Sequence, residues 1–302
     1  MTAWHPVEDL ATWESLLGDG YAPVQQSWAW GEAEARRGHK VTRMGGIGSS
    51  GPVRAQVSFR FGGRLAWCAG GPVGEASTDD IRRLAVALGR PVVAAPHAPL
   101  DRPGIRRAYM PATSIVPLDR SDAELRAQMH GKWRSSLAKA ERTDDLEVGD
   151  CDIATVLRLQ AAMEERKGFR APYGEPFLTA LAEAFGDGFT ARAVHAGGDV
   201  LAVWVDLRSH TTALYLIGAT SPRGRSSNAS YLLAWDCLQR LRDAGTTYLD
   251  TGGFDPATPG GTTRFKQRLG GTDIAFPGLY IAGRHRVTGW ALGIAARRSP
   301  RP

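Results

Sequence analysis

The chain has 302 residues, 43% of them apolar, which is enough to bury a full core and suits two modest domains better than one. No run approaches the ~18 consecutive apolar residues of a membrane span, and the opening Met1-Thr-Ala-Trp-His-Pro lacks the basic head and apolar run of a signal peptide, so a cytoplasmic protein is expected. The widely spaced Cys68, Cys151 and Cys237 argue against a disulfide framework and a Cys-x-x-Cys zinc site, while a net charge of +6 suits a polyanionic partner and equally an arginine-rich composition from a GC-rich coding sequence.

In chain order, residues 7–17 predict a short helix, and Gln25-Gln-Ser-Trp-Ala-Trp-Gly31 begins a second with Ser27 as its N-cap. Segments 41–47, 53–61 and 64–68 alternate or cluster like strands between Gly48-Ser-Ser-Gly51 and Gly62-Gly63 turns; a helix over 79–88 and a strand over 91–95 follow. Residues 121–142 open with a Ser-x-x-Glu capping box and set Leu125, Met129, Trp133 and Leu137 at helical spacing, which predicts one long connector helix. A domain boundary is expected over 143–150. Beyond it come helices over 153–167 and 175–185, then strands over 190–195, 200–207 and 212–218 with a Gly197-Gly-Asp hairpin turn. A helix over 230–244 and a strand over 248–250 complete an α/β reading, and the Arg297-Arg-Ser-Pro-Arg-Pro tail reads as loose.

Four constellations carry candidate chemistry. Lys132, Arg134, Lys139 and Arg142 set cations along the connector helix beside Trp133, the pattern of a polyanion seat and also of an ordinary solvated face. Tyr21, Trp28 and Trp30 cluster near a helix start, where core packing accounts for at least one of them. The strand 213–219 empties into Thr220-Ser-Pro-Arg-Gly-Arg-Ser-Ser-Asn-Ala-Ser230, a basic small-residue loop before a helix. Such a loop can cradle phosphate on backbone amides, and a plain surface loop has the same composition. Fourth, Asp250-Thr-Gly-Gly-Phe-Asp255 and Arg264-Phe-Lys266 bring acid, base and glycine-rich backbone to a strand end. No Gly-x-Ser-x-Gly and no metal-ligand spacing accompany them, so neither metal nor cofactor is expected. What remains suits direct transfer, in which an amine attacks an activated acyl group while the protein supplies position and charge.

Taken in order, the segments resemble the FemABX-type transferases. The resemblance is carried by Gln25-Gln-Ser-Trp-Ala-Trp, Lys132-Trp-Arg-Ser-Ser-Leu-Ala-Lys-Ala-Glu-Arg142, Tyr215-Leu-Ile-Gly-Ala219, Tyr231-Leu-Leu-Ala-Trp-Asp236, and Asp250-Thr-Gly-Gly with Arg264-Phe-Lys-Gln-Arg-Leu-Gly-Gly271. It implies an α/β chain of two GNAT-like domains with mixed sheets, 1–145 completed by a returning 277–302 and then 146–276, without the coiled-coil arm of some members. It also implies transfer of an amino acid from aminoacyl-tRNA, as donor substrate, to an amine of a peptidoglycan precursor or a small metabolite, forming an amide.

Carried over residue by residue, Lys266 resembles the lysine that stabilises the tetrahedral oxyanion, and Phe265 lines the same pocket. Asp250 or Asp255 holds or deprotonates the acceptor ammonium, or caps the glycine turn. Lys132, Arg134, Lys139 and Arg142 then become a seat for the tRNA acceptor stem. Trp30, Arg36, Arg37, Tyr215, Arg225, Tyr231 and Arg264 are the substrate-binding candidates, Arg36 and Arg37 standing nearest the family's cationic contact. Two other readings stay open: an acyl-CoA-dependent N-acyltransferase with its pyrophosphate on residues 223–230, which lack a clean Arg-x-x-Gly-x-Gly/Ala spacing, and a non-catalytic RNA-binding protein.

Overall fold

The computed structural model describes residues 3–283 apart from positions 17, 19, 49–50, 103, 105–110, 169, 171–172 and 259; the basic tail therefore lies outside the described residues. The chain forms two compact units, one running to Thr113 with Gly253–Ala257 and the segment from Ile274, the other comprising Ser114–Gly252 and Thr258–Asp273. The first division thus falls ahead of the connector segment rather than over 143–150. The strand begun at Ala112 pairs into the second unit's sheet, and the helical segment after it packs that unit's core. Among the described residues no helix is long and apolar enough to cross a membrane.

The first unit holds β1 (His5–Pro6), α1 (Leu10–Ser15), α2 (Trp28–Arg36), β2 (Val41–Ile47), β3 (Pro52–Arg60), β4 (Leu65–Gly70), β5 (Val73–Gly74), α3 (Thr78–Leu88) and β6 (Val92–Pro96), joined by the returning strand Tyr280–Ala282. Its sheet runs β1-β2-β3-β4-β6-returning strand, with β5 on β3. Only β4 and β6 are parallel, in register from Ala66↔Val92 to Gly70↔Pro96. Ser27 caps α2 as expected, accepting from Trp30 N at 3.1 Å. Helix α3 lays Ile81, Leu84 and Ala85, one helical face, on the β6 and returning-strand end of the sheet, in a core that includes Val92, Ala94 and Tyr280. Pairing of β3 with β4 stops at Ser58↔Trp67. Beyond it the buried Gln26 amide takes over: it accepts from Gln56 N at 2.7 Å and donates to Gln56 O at 3.1 Å and Ala69 O at 2.7 Å. One side chain thereby satisfies backbone groups that two strands leave open.

The second unit holds β7 (Ala112–Pro117), α4 (Asp122–Gln128), α5 (Gly131–Ala140), β8 (Glu147–Asp150), α6 (Ile153–Lys167), α7 (Glu175–Phe185), β9 (Phe189–Ala196), β10 (Asp199–Ser209), β11 (Thr212–Thr220), α8 (Pro222–Ser226), α9 (Ala229–Asp243), β12 (Tyr248–Asp250), α10 (Gly261–Gln267) and β13 (Thr272–Ala275). The returning strand of the first unit is β14. The sheet order is β13-β7-β12-β11-β10-β9-β8, mixed because β11 and β12 are parallel. The expected single connector helix is two. The Ser121–Glu124 capping box starts α4 as read, but Met129 turns extended at ψ 145° and His130 caps α5, accepting from Lys132 N at 3.1 Å. The glycine-rich stretch before Phe265 leads into a helix, α10.

Helices α5 and α9 cover one face of this sheet with a core that includes Trp133, Leu137, Leu233, Ala234 and Leu241. Beneath it Asp206 of β10 is fully buried and accepts from Trp204 Nε1 at 2.9 Å and Arg240 Nη2 at 2.5 Å. Burial raises the Asp206 carboxyl, and the Arg240 guanidinium opposes that rise. Replacing Arg240→Leu leaves this carboxylate without its counter-ion; we expect a loss of roughly 3 kcal/mol in denaturant unfolding, partly restored by adding Asp206→Asn.

Candidate active site

The site begins with two strands that part. Parallel pairing of β11 with β12 extends only from Thr212↔Tyr248 to Leu214↔Asp250, yet β11 continues to Thr220. On its other edge β11 slips register with β10 between Val205 and Asp206, leaving Leu216 unpaired as a bulge. Tyr215, beside the bulge, stacks on Trp204 with ring centroids 3.6 Å apart and planes 7° apart. Its hydroxyl lies over Gly218, where a Cβ would come within 1.5 Å of it. Gly252 follows β12 in the left-handed region at φ +73° and donates its N–H to Asp250 Oδ1 at 2.9 Å.

Helix α10 carries Lys266 to this opening. Its amine stands 5.5 Å from the Tyr215 ring centroid, and a Cβ placed on Gly252 would be 3.4 Å from it. Burial pushes Lys266 down to about 8, with the charge of Asp250 holding it up against that trend. The result is an ammonium that is poorly hydrated, sits where a strand edge opens, and has a buried carboxylate as its electrostatic neighbour.

A cavity of about 380 Å³ adjoins the same residues, with Tyr215, Tyr231 and Phe265 as its aromatic wall. Trp133 of α5 braces that wall, 5.1 Å from Tyr231 and 5.8 Å from Phe265 between centroids, while Tyr231 and Phe265 meet edge to face at 5.3 Å. Lys266 itself does not line the cavity; its neighbours Phe265 and Tyr215 do. The opposite chemistry comes from Arg166 and Lys167 at the end of α6 and Arg225 of α8. Arg166 and Arg225 each donate to the Thr220 carbonyl at 3.4 Å. Lys167 is lowered by burial and by repulsion from Arg166 and Arg225, and among the described residues no Asp or Glu lines the cavity to offset the three cations. Such a pocket, apolar on one wall and cationic on the other, is built for an anion carried on a partly apolar molecule.

Of the residues read from the sequence, the structure gathers Lys266, Phe265, Asp250, Tyr215, Tyr231 and Arg225 in the second unit around this opening and cavity. Asp255 falls in the first unit and accepts from Ala257 N at 3.0 Å, while Asp250 is the carboxylate whose charge acts on Lys266. Arg264 is exposed and bonds back to Gly260 O at 3.5 Å. The connector cations divide. Lys132 and Lys139 lie on one exposed face with Arg142 exposed beyond them, whereas Arg134 donates to Ala127 O at 3.2 Å and to Met129 O, closing the end of α4.

In the first unit Trp30 lines a cavity of only about 10 Å³, room for a water at most. Arg36 turns back to Glu32 O at 3.5 Å, and Arg37 pairs with Glu34 at 3.2 Å. Sequence reading passed over Arg166, Lys167 and Trp204. Two cations ahead of the left-handed Gly168 look like any helix C-terminus, and Trp204 meets Tyr215 only through a pairing with a bulge. Among the described residues no cluster of three or more His, Cys, Asp or Glu could hold a metal ion.

Residues 124–267, which span this site, match the family described as the Acetyltransferase (GNAT) domain. The crystal structure of FemX superposes with a TM-score of 0.77 at 15% identity, covering 96% of this chain and 100% of that one. A conserved protein of unknown function from Bacteroides thetaiotaomicron VPI-5482 gives 0.59 at 14% identity, over 93% and 99% of the two chains. A tandem GNAT protein from the clavulanic acid biosynthesis pathway, solved without AcCoA, gives 0.52 at 13%, over 94% and 99%. No curated protein matches. The chain therefore shares its α/β fold with the FemX structure, and the part of it that matches the GNAT domain includes Lys266.

Because the Tyr215 hydroxyl occupies the space above Gly218, Gly218→Ala should displace that ring and lower stability by about 1–3 kcal/mol. Thermal unfolding together with the near-ultraviolet dichroism of the Trp204–Tyr215 stack checks this, and unchanged dichroism would count against the stack as the support of the cavity wall.

Proposed function

We propose that the protein is an acyltransferase that moves an amino acid from aminoacyl-tRNA to an amine, in a peptidoglycan precursor or a small metabolite, and forms an amide bond. The observation that carries this reading is the desolvated Lys266 ammonium at the parting of β11 and β12. The acceptor amine attacks the ester carbonyl, a C–N bond forms, and the carbonyl oxygen becomes an oxyanion that Lys266 neutralises. The ester C–O bond then breaks, and the proton lost by the amine ends on the departing ribose hydroxyl. One such donor contributes roughly 3–4 kcal/mol of transition-state stabilisation. Asp250 keeps Lys266 charged rather than touching the acyl group.

The anion-receptive cavity suits the backbone phosphodiester next to the aminoacylated ribose of the donor, and Lys132 and Lys139 on α5, with Arg142 just beyond it, offer further phosphate contacts. A second reading is favoured by one observation. Gly224, Arg225, Asn228 and Ser230 bring the start of α9 to the cavity wall, an arrangement that also suits the pyrophosphate of an acyl-CoA donor.

Transfer of labelled amino acids from charged total tRNA to an amine-containing extract, with and without RNase and beside labelled acetyl-CoA, separates the two. RNase-sensitive transfer is expected; transfer from acetyl-CoA alone would overturn the tRNA reading. Lys266→Met should lower transfer by roughly 10²–10³-fold with tRNA retention intact. Since the acting form is the ammonium and its pKa is about 8, transfer should fall as pH rises through about 8. In Lys266→Arg, which stays cationic, that limb should move to higher pH. A falling limb that stays at the same pH in Lys266→Arg would exclude Lys266 as the group whose titration governs transfer.

A further inference from the structure

The hairpin end of the first unit carries cations that its own carboxylates do not balance. The β3–β4 turn is Phe61-Gly62-Gly63-Arg64, and Phe61 sits in the left-handed region at φ +52°. A bulky residue there is strained where glycine or asparagine would not be. Nor does packing repay it, because Phe61 is 78% exposed, more than Ile47, Val86 or Leu10, the other exposed large apolar residues among those described.

Cations surround this tip. Arg90 reaches it, donating from Nε to Gly63 O at 3.1 Å, and Arg64 is exposed on the turn itself. Lys40 lies at the start of the neighbouring strand, its carbonyl accepting from Phe59 N at 2.8 Å and its amine 5.7 Å from the Phe59 ring centroid. The nearby carboxylate is Glu34, which is buried and engaged by Arg60 at 2.5 Å and Arg37 at 3.2 Å. Lys40, Arg64 and Arg90 have no carboxylate partner among the described residues. Val86, exposed on α3 shortly before Arg90, adds apolar surface.

We infer that this end of the first unit docks on an anionic lipid surface, Phe61 entering the headgroup boundary while Lys40, Arg64 and Arg90 meet the lipid phosphates. A projecting aromatic ringed by cations is the arrangement that interfacial binding rewards. A single-stranded nucleic acid asks instead for successive aromatic platforms along a groove, and Phe61 is the one aromatic among the exposed large apolar residues described.

Flotation of the full chain with vesicles of phosphatidylglycerol and phosphatidylcholine, against phosphatidylcholine alone, tests the surface. Binding should require phosphatidylglycerol and weaken as salt is raised. Arg64→Glu with Arg90→Glu should lower it by at least roughly 30-fold, and Phe61→Ser should lower it without changing its salt dependence. Thermal unfolding of each variant checks folding, and Arg64→Gln with Arg90→Gln replaces the reversal if that variant unfolds. Equal flotation on both vesicles, or flotation untouched by these changes, would overturn the assignment. So would loss of tRNA retention in the same variants with no flotation by the native chain, which would give the surface to RNA.

Discussion

The early end of one strand pair governs the second unit. Had β12 continued beside β11 past Asp250, ladder hydrogen bonds would run on toward Thr220; instead Gly252 turns left-handed against the Tyr215 carbonyl, where a Cβ would come within 2.6 Å of that oxygen. A parted parallel pair presents polar backbone and a gap together, and such a gap is tolerable only where other groups occupy its edge. Lys266 does so, and the cost of burying its charge appears as a pKa of about 8. That lowered value and the gap have the same origin: an amine placed where protein has replaced water and a single carboxylate answers it.

Aromatic packing ties the elements around Lys266 together. Trp204 under Tyr215, and Trp133 against Tyr231 and Phe265, join β10, β11, α5, α9 and α10 through rings with few rotatable bonds. The buried Asp206, shared by Trp204 and Arg240, fixes the lower tryptophan in turn. Rigid elements rather than loops therefore position the lysine, which is the condition for electrostatic stabilisation that needs no rearrangement during reaction.

The first unit solves the same sheet differently. Its parallel pair β4–β6 stays in register from Ala66 to Gly70, so no comparable gap opens there, and the place where β3 and β4 separate is filled by the Gln26 amide. Its charge is spent at the surface instead, on the hairpin end around Phe61. Two sheets of related design thus differ in whether a strand edge is closed by backbone, closed by a side chain, or left open for chemistry.

Sequence by itself determined the α/β class, the main helices, the Ser27 and Ser121 caps and the segment holding Phe265 and Lys266, because period, capping chemistry and an ordered set of motifs are local properties of the chain. The ordered motifs also gave the FemABX-type resemblance that the FemX superposition carries at the level of fold. Tertiary structure alone decided the rest. The break at Met129–His130 depends on His130 and Arg134 closing two helix ends, and the division at Thr113 depends on which sheet the strand Ala112–Pro117 joins. The placing of Asp250 near Lys266, and the gathering of Arg166 and Lys167 with Arg225, depend on which distant segments meet. Spacing along a chain encodes which face of an element a residue occupies, but charge burial and cavity walls arise from residues far apart in sequence, and no local period records their meeting.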